Sequence, residues 1–358
     1  MKNILKIATI LLSVLSFSAA QAGDLAVTGT AKASYTITSS DSTSAVVEQG
    51  KGLGVANEFD LTASGELDNG FTWSYQTQID ADTTQDDGKL TLTTPYGTAG
   101  IFISEGGLEF SKKGAVTANG DRASDTGYDE GMVEEYSIGD MSSIQLHSPA
   151  DLLPYGITLK FAHAPDTSGN MNSVNAQGAA GSGTASAVTT AVTGKQAAKG
   201  MGRSMTSYQI NSEPLAGLNI GASYSDFDVN DMAQKPEAGS AYISYKYGPA
   251  TVAYGEARIS HAIQSITSTD LIESTENKKM SVSVLVNDDL SVSYSQEESV
   301  ANHQTTATVD VELESSSIAA AYTMGGMTLA VAQVSHQNVG YVANKDVNST
   351  VFNVSMAF

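Results

Sequence analysis

Cysteine is absent from the 358-residue chain. With it go disulfide frameworks, zinc fingers, thiolate clusters and a cysteine nucleophile. Basic residues are few: 18 Lys and Arg stand against 39 Asp and Glu, a formal charge of -21. That sign argues against a nucleic-acid partner, because such binding needs a basic face to displace counterions. Proline is scarce, at seven residues, while glycine is plentiful at 33, a balance that suits many strands joined by turns. Charged residues are only 16% and hydrophobic ones 41%, which sets the chain apart from charge-driven disorder. Long apolar runs are missing too. Past the first 22 residues no stretch of 18 apolar residues occurs, so no transmembrane helix follows. Mean hydropathy is -0.12, which looks soluble, but an average hides alternation.

The first 22 residues read as a leader. Lys2 and Lys6 precede an apolar run from Ile7 to Phe17, and Ala20-Gln21-Ala22 follows. A positive start, a short apolar core and a small-x-small site make a secretory signal peptide. The run is too short to span a bilayer, which takes roughly 20 residues. Cleavage after Ala22 leaves a single domain, 23–358, in an exported protein that is more acidic still.

Period two then runs through the chain. Leu25, Val27, Gly29, Ala31, Ala33, Tyr35 and Ile37 alternate with Thr28, Thr30, Lys32, Ser34 and Thr36. Phe59 to Leu67 and Phe71 to Ile79 repeat the pattern around the turn Asp68-Asn69-Gly70. Successive strand residues face opposite sides, so each strand has an apolar and a polar face, and Asn-Gly favours a tight hairpin. Further tight turns read at Thr94–Gly97, Pro149–Gly156, Glu213–Gly217, Gly248–Ala250, Asn287–Asp289 and Gly325-Gly326. Longer polar connections lie at Ser39–Leu53, Thr83–Gly88, Ser104–Glu135, Pro165–Gly202, Phe227–Ala238, Ser260–Asn277, Glu297–Leu313 and His336–Val347. Seven short links alternating with eight long ones predict 16 strands. The fold class is all-β: a transmembrane antiparallel β-barrel of 16 strands, with short turns at one end and long loops at the other. A β-sandwich also alternates. Strongly polar inner faces, aromatics near strand ends (Tyr35, Phe71, Trp73, Tyr254, Tyr322) and the need for a membrane sheet to close favour the barrel. The chain ends inside a strand, on the stripe Thr350, Phe352, Val354, Met356 and Phe358.

Leader, strand rhythm, long third connection and terminal Phe358 together resemble a Gram-negative general-diffusion porin. The likeness covers 23–358 and rests on architecture; Glu105-Gly106-Gly107-Leu108-Glu109-Phe110 stands where some of these porins carry Pro-Glu-Phe-Gly-Gly, and differs from it. The resemblance implies a homotrimer and folding by the outer-membrane assembly machinery through Phe352, Val354, Met356 and Phe358. It also implies a third loop folded inward as the pore constriction, with acids facing basic wall residues across the pore.

In a water-filled barrel, function lies in pore width and in the charges on the wall. The third connection, 104–135, carries Glu105, Glu109, Asp121, Asp125, Asp129, Glu130, Glu134 and Glu135, with Lys112, Lys113 and Arg122 as its cations. On the wall, the alternation predicts inward Lys32, Lys89, Lys160, Lys246 and Arg258, and inward Glu58, Asp60, Glu66, Asp80 and Asp82. A lumen dominated by one sign enriches counter-ions, so a cation preference is expected. No pair of the five histidines has metal-ligand spacing, no Gly-x-Ser-x-Gly elbow or P-loop occurs, and conduction calls for no cofactor. The Ala/Gly/Ser/Thr-rich stretch 170–202 reads as an extracellular loop. The expected function is passive diffusion of ions and small hydrophilic solutes through the outer membrane. A substrate-selective channel, a plugged barrel serving as adhesin or structural protein, and an exported soluble β-protein stay open.

Overall fold

The computed structural model describes residues 24–40, 50–80, 87–110, 116–128, 131–132, 136–165, 204–228, 233–263, 271–304 and 309–358. The leader, the 170–202 stretch, Asp82, Lys112, Lys113, Asp129, Glu130, Glu134 and Glu135 lie outside the described residues. Sixteen strands follow one another: β1 (Asp24–Ser40), β2 (Gly50–Glu66), β3 (Thr72–Asp80), β4 (Gly88–Thr94), β5 (Gly97–Ile103), β6 (Ser143–His147), β7 (Thr158–Ala164) and β8 (Ser204–Leu215). The second half is β9 (Leu218–Asp228), β10 (Glu237–Tyr247), β11 (Ala250–Ser260), β12 (Ile272–Leu285), β13 (Leu290–His303), β14 (Glu312–Met324), β15 (Met327–Gln337) and β16 (Val347–Ala357). Each pairs antiparallel with its sequence neighbours, and β16 returns to β1 to close the barrel. The 16-strand antiparallel barrel read from the alternation is the fold found.

Alternation sets the two faces. Aliphatic residues on the outer face are highly exposed, Leu25 at 71% and Leu53 at 86%. In an aqueous protein that would be a liability; on a barrel wall it is the surface given to hydrocarbon. Polar side chains turn inward instead, and Ser295, Ser299 and Ser315 are fully buried. At the short-turn end the chain reverses within two residues at Pro95-Tyr96, Ala216-Gly217, Gly248-Pro249 and Gly325-Gly326. Gly97 leaves the first of these at φ 136, where an added Cβ would lie 2.3 Å from the His147 carbonyl oxygen. No side chain fits there.

The seam joins residues more than 300 apart in sequence. Tyr35 lies opposite Phe352, Ala33 opposite Val354 and Ala31 opposite Met356. Below them Gly29 and Phe358 exchange backbone hydrogen bonds, N–H to O=C, of 2.9 and 3.0 Å. The Phe358 ring covers Gly29 and meets Phe59 at a centroid distance of 5.5 Å. A Cβ on Gly29 would sit 2.5 Å from the Glu58 carbonyl oxygen and 2.9 Å from the Phe358 ring. The terminal aromatic therefore needs a glycine beneath it.

Three sequence readings require correction. Segments 272–277 and 297–303, read as loop, belong to β12 and β13. Their outer row is charged: Glu256 opposes Lys278, Lys278 opposes Glu298, and Glu298 opposes Glu314. Above the apolar belt an outer residue has no reason to be apolar, so the alternation fades while the ladder continues. Arg258 belongs to this outer band and does not point into the lumen. It is 66% exposed and pairs with Glu276, its cross-strand partner, at 3.3 Å. The third connection also runs on to Ser142 before β6 begins.

Gly29→Val should prevent seam closure, whereas Phe358→Ala should weaken it by about 1 kcal/mol, the scale of one aromatic pair. Urea unfolding of the refolded barrel, followed by its heat-modifiable gel mobility, reads both.

Candidate lumenal site

The segment after β5 is a chain with no sheet partner, so its backbone donors and acceptors must find others. Inward side chains of the wall supply them in sequence. The Gln145 amide on β6 donates to the Gly106 carbonyl at 2.8 Å, and that of Gln209 on β8 to the Leu108 carbonyl at 2.5 Å. The Phe110 N–H donates to Ser240 Oγ on β10 at 2.9 Å and to Ser223 Oγ on β9 at 3.3 Å. The Val116 N–H reaches Ser281 Oγ on β12 at 2.6 Å, and the Ala118 N–H reaches Ser293 Oγ on β13 at 2.7 Å. The Ser124 N–H meets the Glu297 carboxylate on β13 at 3.3 Å. Serine suits this task because its short side chain holds the loop backbone close to the strand.

Apolar contacts fill the spaces between these bonds. Phe110 packs on Tyr242 at 4.6 Å, above Gly221, where a Cβ would lie 2.7 Å from its ring. Leu108, Ile138 and Met141 form one buried cluster with Ala162, Ala164, Met205 and Phe227 of the wall. Ala118 packs on Ala319, Ala332 and Val334. The loop thus follows the inner wall from β6 round to β16, where Gly127 lies against Ser349 and Val351.

Ion pairs add further fastenings. Lys32 on β1 meets Asp121 at 2.6 Å, and Lys89 on β4 meets Glu105 at 2.8 Å. Arg122 binds Asp125 through Nη2 at 2.7 Å and Nε at 3.0 Å. Glu297 lies between Arg122 Nη1 at 3.6 Å and Lys279 Nζ at 3.3 Å. Glu109 is half-buried near Gly107. Lys160 and Lys246 share the inward parity, Lys160 opposite His147 and Lys246 opposite Thr251 at the short-turn rim. On β2, Glu58 and Asp60 face inward, and Asp60 accepts from the Gln76 and Gln78 amides at 2.8 and 3.2 Å. Glu58 is opposite Asp80, whose side chain lies outside the described residues. Lys279, Glu297 and the wall serines escaped the sequence reading. Inward alanines where a water-lined wall would carry polar groups (Ala162, Ala238, Ala257, Ala319, Ala332) were the available signal. Among the described residues, no group of His, Asp and Glu could hold a metal.

Sixteen closed strands and a long third connection along the inner wall can be compared with solved barrels. The loop-deleted OmpT of Vibrio cholerae, an outer membrane protein, superposes with a TM-score of 0.60 at 10% identity, over 94% of this chain and 100% of that one. The anion-selective porin of Comamonas acidovorans gives 0.60 at 11% identity, over 94% and 100%. Salmonella typhi OmpF, in complex with daunomycin, gives 0.59 at 11% identity, over 94% and 98%. The fold is the porin fold. No protein-family model and no curated protein matches the sequence. Across such distances the porin likeness carries the architecture and leaves ion preference to this chain's own residues.

The loop's return leg closes the lumenal packing of the porin barrel. Tyr136 stands edge-on to Phe227 at 5.1 Å, and burial raises its phenol pKa. Its hydroxyl donates to the Ser260 carbonyl at 3.4 Å. Next to it, buried His261 contacts Thr275 Oγ1 through Nε2 at 2.7 Å. Burial lowers the His261 pKa to about 4. A folded-state value below the unfolded one means the neutral ring's contribution is complete above the free-imidazole range and is lost as pH falls from about 6.5 toward 4. Melting temperature should therefore drop between pH 7 and pH 4.5 by less in His261→Gln than in the parent protein, as read by circular dichroism in detergent.

Proposed function

We propose that the protein is an outer-membrane channel for passive diffusion of ions and small hydrophilic solutes, with a preference for cations. The observation that carries this reading is a closed barrel, apolar outside and polar inside, with its third connection fastened along the inner wall. A closed wall leaves no backbone group unpaired in hydrocarbon, and a polar interior admits water. Transport of this kind needs no covalent step and no cofactor. The first 22 residues act as a cleaved export signal. The terminal stripe Phe352, Val354, Met356 and Phe358 serves as the assembly signal for the outer-membrane assembly machinery. The third connection, with Glu105, Glu109, Asp121, Asp125, Asp129 and Glu130, forms the constriction.

Cation preference follows from how the charges pair. Lys32, Lys89, Arg122 and Lys279 each lie against a carboxylate, so the pairs add little net charge to the lumen. Against the inward Lys160 and Lys246 at the short-turn rim, Glu58, Asp60 and Glu66 of β2 then weight the field toward acid, and a focused field of one sign enriches its counter-ion.

Strand length supports self-association. With five residues, β6 reaches only ~13 Å up the membrane once tilted, against an apolar band of about 25 Å. Beside it, an apolar groove of about 890 Å³ opens between β4 and β9, lined by Leu92, Leu146, Leu159, Phe161, Tyr208 and Ile210. A low wall facing lipid would expose loop backbone to hydrocarbon. Further copies of the chain covering this sector, as a homotrimer, remove that cost.

Planar-bilayer recording of the refolded mature protein under a KCl gradient tests the reading. Ohmic steps in threes with a cation-selective reversal potential are expected. Anion selectivity would keep the channel and overturn the assignment of Glu58 and Asp60; absence of conductance would leave a plugged barrel. Saturating solute flux would mark a substrate-selective channel. In the double variant Glu58→Gln, Asp60→Asn the reversal potential should move toward zero, and deletion of 111–127 should raise single-channel conductance.

A further inference from the structure

On the long-loop side of the Lys32–Asp121 pair, a polar niche of about 450 Å³ opens in the inner wall. Ser34, Thr36 and Thr38 of β1 bound it on one side, and Gly127 and Tyr128 of the third connection on another. Its room comes from β2, where Gly50, Gly52 and Gly54 lie opposite those three hydroxyl residues. Elsewhere in this barrel neighbours require glycine: a Cβ would strike the Phe358 ring over Gly29 or the Phe110 ring over Gly221. Here they do not. Among the described residues, a Cβ on Gly50 or Gly52 would meet no atom within 4 Å, and one on Gly54 only Ser34 Oγ, at 3.0 Å. Glycine inside a strand lowers its stability, and it marks places where another group comes close to the backbone. Lys51 shares the outward parity of Ile37, its partner across the ladder, so the β1 and β2 walls of the niche carry no charge. Across the seam from Ser34, on the same inner face, Asn353 is 6% exposed and its Oδ1 has no hydrogen-bond partner among the described residues.

We propose that this niche binds a neutral polyhydroxylated solute of monosaccharide size on its way to the constriction. The proposal rests on the channel reading for access to the lumen. An ion finds no counter-charge on these walls, and an apolar solute finds mostly hydroxyls. A sugar suits both features. Each wall hydroxyl donates and accepts, and alternate residues of one strand place them about 7 Å apart, so they meet hydroxyls at different edges of one ring. Thr38 Oγ1 already contacts Ser349 Oγ at 3.3 Å and keeps capacity for a second bond. Tyr128, its ring 6.3 Å from that of His336, supplies the flat apolar surface on which the C–H face of a sugar rests. Asn353 adds an acceptor for which burial without a donor is unfavourable.

Saturation-transfer NMR with D-glucose and the refolded barrel, in a detergent without a sugar headgroup, tests the proposal. Glucose signals should receive saturation from the protein and level off as the sugar concentration rises. Gly52→Val puts a strand-compatible side chain into the open space. The barrel should keep its heat-modifiable mobility while glucose affinity falls about tenfold. Tyr128→Leu, outside the ladder and so independent of refolding at β2, should weaken binding on the same scale. Absence of a saturable signal in the parent protein would overturn the proposal. Binding that survives in either folded variant would overturn it equally, because the sugar would then lie elsewhere. The signal does not require conduction. A conducting barrel without it refutes the niche alone, and a glucose signal from a barrel with no conductance refutes the channel reading alone.

Discussion

Backbone hydrogen bonding in a medium without water is the constraint from which the rest of this structure follows. An N–H left unpaired in hydrocarbon costs several kcal/mol, so a sheet that enters a membrane has to close. Closure brings residues 24–40 against residues 347–357, more than 300 positions away along the chain. Nothing local can propagate that pairing. It is secured where Phe358 lies over Gly29 and leans on Phe59, a contact that exists only when the register is correct. A slip by one residue would turn every lipid-facing side chain inward, so the seam and the alternation protect each other.

The same constraint reappears inside the barrel in another form. The third connection is an unpaired chain laid against a wall whose own backbone is already fully used by the ladder. Outside its own turns, the polar groups of its backbone are met by side chains of the wall, which explains the run of inward serines and the two glutamine amides. A hydroxyl on a strand is a compact acceptor at a fixed height, so successive serines act as a row of attachment points. Small residues on the wall, Gly221 under Phe110 and Ala319 and Ala332 under Ala118, bring the loop close enough to reach them. The wall is thus shaped by the loop it carries, and the lumen's chemistry is divided between positions that hold the loop and positions left to water.

How much of this was legible follows from which signals repeat. The alternation of Leu25 to Ile37 and Phe59 to Leu67 is enforced by lipid on one side and water on the other, so strand number, order and the two ends of the barrel could be read. Above the apolar belt that enforcement stops, which is why the upper parts of β12 and β13 passed for loop. Arg258 shows a different failure: it shares the outward parity of Val252 and Tyr254, so the inward reading had the register of β11 wrong. Lys279 and Glu297 were hidden for a third reason. An inward charge on a porin wall looks the same in sequence whether it faces water or lies under a loop, and only the fold of residues 104–142 decides between them.

That last point bears on how charge should be counted in a channel. An excess of 39 acids over 18 bases says little by itself about selectivity, because many of those acids lie on the outer rim or in loops, where salt screens them within about 10 Å. What an ion meets in the lumen is the remainder after pairing. Here Lys32 and Lys89, which as isolated residues would oppose a cation, are each within 3 Å of a loop carboxylate. Each pair does two things at once: it fastens the loop to the wall and removes a positive charge from the path. Fastening and the charge left facing the lumen are therefore coupled through the same lysines.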